Sequence, residues 1–251
     1  FKQKTAYEIM PSLVGSEMCI RDSLMSLCGV AGYNLFLYIG QSEIKPGAAA
    51  LLTTLSPLFT LILAILIIKE KVPIRRAVGI IMAFAGIYFV IRWGKVGLGR
   101  MINISNAELR YSIITALAPL SWSFYTIMAK PVLKRRSPIT VTYLTILLGT
   151  IPFYFFLNQS FLDKIPQMEL SHWIALIHLS LLCTIVGFWI WFAGLSVLPA
   201  TTVSSFIYLN PPFAIFFSYI FFGEEVTGYF ILGSAIVLAG LYLAQSSKNN
   251  S

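Results

Sequence analysis

The chain has 251 residues, of which 57% are hydrophobic and 11% charged, and its formal net charge is +8. Soluble domains run at roughly 45–50% apolar and about 25% charged residues, so an ordinary globular fold is excluded. The positive charge does not mark a nucleic-acid surface, because the Lys and Arg residues gather in short connections between apolar runs, as in a multi-pass protein of a lipid bilayer.

Residues 1–23 differ from everything after them. They carry Lys2, Lys4, Glu8, Glu17, Arg21 and Asp22 without an apolar run. A secretory signal would need a continuous apolar core and a small-residue cleavage site. The stretch 7–23 resembles a translated sequencing-adapter read-through, and the segment is read as artefactual.

Eight apolar spans follow, at 24–40, 47–68, 77–91, 111–128, 139–157, 173–197, 201–223 and 229–244. Most approach the roughly 17–25 residues that a helix needs to cross the hydrocarbon, and the connections are too short to hold a second folded domain. Transmembrane β-strands would alternate over about ten residues, and these runs do not. The fold class is therefore all-α integral membrane. Lys69, Lys71, Arg75 and Arg76 fill one connection and Lys130, Lys134, Arg135 and Arg136 another, which places both in the cytoplasm. Arg92, Lys95, Arg100 and Arg110 conflict with that topology, but spread charges bias orientation less than tight clusters. Cys19, Cys28 and Cys183 form no disulfide or metal pattern.

The chain also repeats itself. Leu55-Ser56-Pro57-Leu58-Phe59 followed by Glu70 returns as Leu209-Asn210-Pro211-Pro212-Phe213 followed by Glu224, and Val72, Gly79 and Gly86 return as Val226, Gly233 and Gly240. The copies sit on the second and seventh spans, five helices apart, so an odd separation inverts their orientation. Loop charge agrees, since four basic residues surround or follow Glu70 whereas Glu224 is followed by Glu225 and no basic residue. Two five-helix repeats of inverted topology make a ten-helix fold with a site near the midplane, of which eight helices are visible. The expected organisation is a non-family segment 1–23, an incomplete first repeat of three helices at 24–100, a second repeat of five at 101–246, and a polar tail at 247–251.

These elements, with Leu120-Ser-Trp-Ser-Phe-Tyr125 in the fourth span, resemble EamA-type proteins of the drug/metabolite transporter superfamily over residues 24–244. The resemblance implies secondary transport, by alternating access, of small metabolites, amino acids or drug-like amphiphiles. It further implies export or uptake, with export the expected direction, across a bacterial-type inner membrane, with no cofactor and with a homodimer allowed. Against that stand an intramembrane enzyme and a channel. The chain has no nucleophile elbow, paired intramembrane aspartates or metal-ligand motif for the first, and a channel does not explain an inverted duplication.

Substrate-cavity candidates are Tyr33, Asn34, Ser56, Pro57, Trp122, Tyr125, Tyr208, Asn210 and Pro211. The duplicated prolines free a helix carbonyl and allow a kink, each follows a polar side chain, and interior aromatics combine apolar area with a polar handle. Each aromatic also has a plainer reading as helix packing. Glu70 and Glu224 end their spans, where the helix dipole disfavours a carboxylate. Each is read as a gate or a contact with another helix's N-terminus, against a hydrated interfacial group. Lys130 reads as a snorkelling anchor, and the glycine pairs seven apart as a surface for close helix approach.

Overall fold

A computed structural model describes residues 23–44, 49, 52–93, 106–163, 165–210, 212–213, 216–217, 220 and 228–246. The segment 1–22, Pro211, Glu224 and the tail 247–251 lie outside the described residues. Those described form helices joined by turns, with no strand among them. The elements are a π-helical turn Leu27–Gly32 running into α1 (Tyr33–Gln41), then α2 (Ser56–Leu66), α3 (Ile74–Trp93) and α4 (Asn106–Leu133). Next come α5 (Pro138–Thr150) with a 3₁₀ extension Ile151–Phe156, and a short α6 (Gln159–Leu162). A single long rod is built from α7 (Leu170–His178), a π segment Leu179–Val186 and α8 (Gly187–Val197). The last elements are α9 (Ala200–Ser205), a 3₁₀ turn Phe206–Leu209 and α10 (Gly228–Gln245).

Among the described residues four helical stretches are long and apolar enough to cross a membrane, Ser23–Gln41, Leu109–Leu133, Pro138–Phe156 and Leu170–Val197, and shorter apolar helices include Ser56–Leu66 and Ile231–Gln245. Their outward faces carry Leu66, Phe155, Ile174 and Leu181, all well exposed. Contiguous apolar exposure of this kind would aggregate in water and is matched to lipid.

Local chemistry sets several starts. The Ser137 hydroxyl accepts from the Thr140 amide at 3.3 Å ahead of Pro138, so α5 opens on an N-cap followed by a proline that lacks the superfluous donor. At α7 the Glu169 amide donates to His172 Nδ1 at 3.2 Å, closing a capping box.

At Pro57 the hydrogen-bond ladder is interrupted: a turn at Thr54–Leu55, with Leu55 itself in helical backbone, precedes α2, and Pro57 lies in the first turn of α2. Proline belongs there because the first amides of a helix have no internal acceptor. The second copy changes helix type at the same place, through the 3₁₀ turn Phe206–Leu209 just before Asn210.

The duplication reaches further than the sequence pattern. The π segments end at Gly32 and Val186, where α1 and α8 start at Tyr33 and Gly187, each pair 154 positions apart. In the second π segment the Thr184 hydroxyl donates to the Leu179 carbonyl five residues back at 2.9 Å, a bond suited to the widened turn. Two matched π segments are informative because such turns are rare and gather at functional sites.

The chain divides into two compact units, Phe1–Gly32 with Met128–Val197, and Tyr33–Ile127 with Leu198–Ser251. In the first, α5 packs on the π turn Leu27–Gly32, where a Cβ on Gly149 would stand 2.5 Å from Val30 Cβ. In the second, α3 and α10 form the principal contact. A Cβ on Gly240 would lie 2.5 Å from the Ala83 nitrogen and 2.7 Å from the Gly79 carbonyl oxygen; one on Gly86 would lie 2.9 Å from the Val237 nitrogen and 3.0 Å from the Gly233 carbonyl oxygen. Every member of the first set is 154 positions from its counterpart in the second. The copies therefore cross antiparallel about a local two-fold, as isologous contacts require, with small residues allowing backbone contact. Ile80, Ala83, Ile87 and Val237 are buried in the same core with Leu61 and Tyr208.

Candidate substrate site

The second unit gathers part of the expected site. The Trp122 ring stands between those of Tyr33 and Tyr125, with centroid separations of 5.4 Å and 5.2 Å and interplanar angles of 56° and 48°. Such tilted pairs satisfy the ring quadrupoles. Trp122 and Tyr125, three apart on α4, share a helix face, and Tyr33 reaches them from the first turn of α1. Tyr33, Asn34 and Trp122 are half-buried, whereas Tyr125 is fully buried.

Beside these aromatics, Ser56 on α2 meets Ser123 on α4, hydroxyl to hydroxyl at 3.2 Å. The Ser123 oxygen also lies 2.8 Å from the Ser56 carbonyl and 2.7 Å from the Pro119 carbonyl. One Ser123 proton serves those two carbonyls, so the Ser56 hydroxyl is the natural donor between the two side chains. The arrangement has a second consequence on α2. A helical threonine usually donates to the carbonyl four residues back, which for Thr60 is the Ser56 carbonyl that Ser123 engages. The Thr60 hydroxyl is fully buried and lacks a hydrogen-bond partner.

Other expected site residues fall elsewhere. Tyr208 is fully buried in the apolar cluster of Leu61, Ile80, Val237 and Ala244, with its hydroxyl unpartnered. Pro57 is buried and Asn210 exposed.

Glu70 has the most developed set of contacts. Lys69, just before it, adopts a left-handed backbone with φ of 52°, and the Glu70 amide closes the turn on the Ala64 carbonyl at 2.9 Å. The carboxylate so delivered accepts from the Ala200 amide at 3.2 Å and from the Thr201 hydroxyl. Pro199, the residue that caps α9, has no side-chain oxygen to offer its free amides. Glu70 supplies the missing acceptor where the helix dipole favours an anion. Arg76 completes the cluster, with Nη1 at 3.7 Å from Glu70 Oε1 and donating to Thr201 Oγ1 at 3.4 Å. Their side chains are 4% and 13% exposed for Arg76 and Glu70, so neither the loop charge read at Arg76 nor the hydrated carboxylate read at Glu70 describes them. Lys130 is likewise turned inward, donating to the Leu195 carbonyl at 2.7 Å in the last turn of α8, where a cation suits the dipole.

Sequence reasoning missed Ser123, Thr201 and the burial of Arg76. Ser123 lies inside the Ser-Trp-Ser motif of the fourth span. No local signal separates Arg76 from its exposed neighbour Arg75. Among the described residues no group of His, Cys, Asp and Glu side chains could hold a metal ion.

The chain is similar to an uncharacterized transporter of Archaeoglobus fulgidus, at 27% identity over 87% of this chain and 75% of that protein. It is also similar to a probable terminal-alkyne amino-acid exporter of Streptantibioticus cattleyicolor, at 23% identity over 88% and 72%. A probable amino-acid metabolite efflux pump of Salmonella typhimurium matches at 24% identity over 84% and 74%. One solved crystal structure shares the fold with a TM-score of 0.72 at 17% identity, covering 88% of this chain and 75% of that one. The model of the EamA-like transporter family matches residues 15–92 and 109–245, beginning within the segment that composition sets apart. With its antiparallel duplicated helices and apolar spans, the chain belongs to the EamA-like transporter family and is an integral membrane transporter, not an enzyme.

Proposed function

We propose that the chain is a secondary carrier that exports small amphiphilic metabolites, amino acids among them, by alternating access between two inverted repeats at 24–100 and 101–246. The observation that carries this reading is the matched irregularity in the duplicated spans, a turn immediately before Ser56 in one copy and a 3₁₀ turn immediately before Asn210 in the other. Discontinuous helices release backbone groups at membrane depth, and such groups are tolerated where they line a cavity. The half-buried rings of Tyr33 and Trp122 offer apolar area to a substrate, with Tyr125 fully buried against Trp122 and the Ser56–Ser123 hydroxyls paired beside them. The amino-acid export named for two relatives supports the substrate class, and their bacterial sources support the inner membrane.

Counterflow in proteoliposomes tests the proposal. A labelled amphipathic amino acid such as phenylalanine should enter vesicles preloaded with unlabelled compound faster than empty ones, and the rate should saturate. Flux that rises linearly with concentration and ignores preloading would favour a channel and overturn the carrier.

A further inference from the structure

We infer that Arg76, Glu70 and Thr201 form a latch that biases the carrier toward closure at one end, and that Arg76 is a positioning residue acting through Glu70. The inference rests on the carrier reading above. Three observations carry it. The Glu70 carboxylate binds the Ala200 amide and the Thr201 hydroxyl, so a residue of the first repeat secures the opening turn of a helix in the second. Arg76 is nearly sealed from solvent beside it. Lys69 holds a left-handed backbone that disfavours any side chain but delivers Glu70 to α9, and local strain of this type persists where surrounding structure enforces it.

The duplication makes the latch one-sided. Glu70 has its counterpart in Glu224 and Lys69 in Gly223, but Arg75 and Arg76 correspond to Tyr229 and Phe230. The second copy retains the acid without the base. The Arg76–Glu70 pair therefore has no sequence counterpart in the second copy, and a buried pair broken by opening leaves two uncompensated charges. Every residue of α9 is buried, so release of its first turn exposes a face that is otherwise closed.

The test reads accessibility and needs no substrate. In the chain reconstituted in lipid nanodiscs, with Cys19, Cys28 and Cys183 replaced by Ser, Ser204→Cys reports on the buried face of α9 and Val237→Cys on the α3–α10 core. Labelling of Ser204→Cys by a bulky water-soluble maleimide should be slow, and about tenfold or more faster in Glu70→Gln and Arg76→Gln, since removing one partner of a buried pair exceeds the energy of a tenfold shift. Arg75→Gln, which removes an equal charge from an exposed neighbour, should change nothing. Unchanged labelling at Ser204→Cys would overturn the latch. So would an equal rise at Val237→Cys, because it would report general loosening. Counterflow is scored separately, so altered labelling together with linear flux that ignores preloading would refute the carrier while leaving Glu70 and Arg76 as the contact that closes the α9 face.

Discussion

Gly86 and Gly240 occupy equivalent places in the two copies and meet equivalent atoms, Gly86 against the Val237 nitrogen and Gly233 carbonyl, Gly240 against the Ala83 nitrogen and Gly79 carbonyl. The contact reports inversion directly, since the glycines seven apart on α3 pair in reverse order with those on α10.

Substituting Gly240 with Ala should lower stability by about 1–3 kcal/mol, the range for overpacking a tight contact, because both opposing atoms are backbone and cannot turn aside. Gly228→Ala is the control. It has nothing within 4 Å and should stay within about 0.5 kcal/mol of the parent. Thermal unfolding in detergent measures both.

Lys69→Gly should raise stability by about 0.5–1 kcal/mol. The left-handed conformation costs a non-glycine residue roughly 1–2 kcal/mol, less the greater freedom that glycine brings to the unfolded chain. The duplicate already has Gly223 at this position. A lower melting temperature for this variant would contradict the assigned backbone.

Thr60→Val should stabilise by about 1 kcal/mol, because it removes a buried hydroxyl without a partner while keeping a β-branched shape. Combined with Ser123→Ala in a double-mutant cycle, the effects should not add, since loss of Ser123 returns the Ser56 carbonyl to Thr60. Strict additivity would show that the two hydroxyls do not compete for it.

Trp122→Ala should reduce counterflow about tenfold or more while membrane insertion is retained, and Trp122→Phe should recover part of it. The expectation follows from its place between Tyr33 and Tyr125, since aromatic pairs contribute about 0.5–1.5 kcal/mol beyond area burial and both contacts are lost together. Transport at the parent rate in Trp122→Ala would remove it from the site.

Much of the fold was legible because hydropathy and repetition are local or periodic properties. The spans, the loop charges and the 154-residue offset required no knowledge of which helices touch. The aromatic pair Trp122 and Tyr125 was equally readable, as three-residue spacing on a helix brings side chains to one face. Proline was harder. Its missing amide is compatible with a kink or with a fresh helix start, and the turn at Thr54–Leu55 that precedes α2 is visible only in the backbone.

The sequence by itself determined the membrane class and the antiparallel sense of the duplication, since each follows from composition, spacing or the parity of spans. The tertiary structure decided which polar groups find partners. Ser56 joins Ser123 across 67 positions, Arg76 joins Thr201 across 125, and Thr201 joins Glu70 across 131, while Tyr208 is drawn into an apolar core. The physical reason is that a buried polar group is satisfied by whatever packing brings within about 3 Å, and that proximity depends on the register of helices remote in sequence. Arg75 and Arg76 are chemically the same residue, one position apart; the packing of their helix leaves the first exposed and seals the second against Glu70.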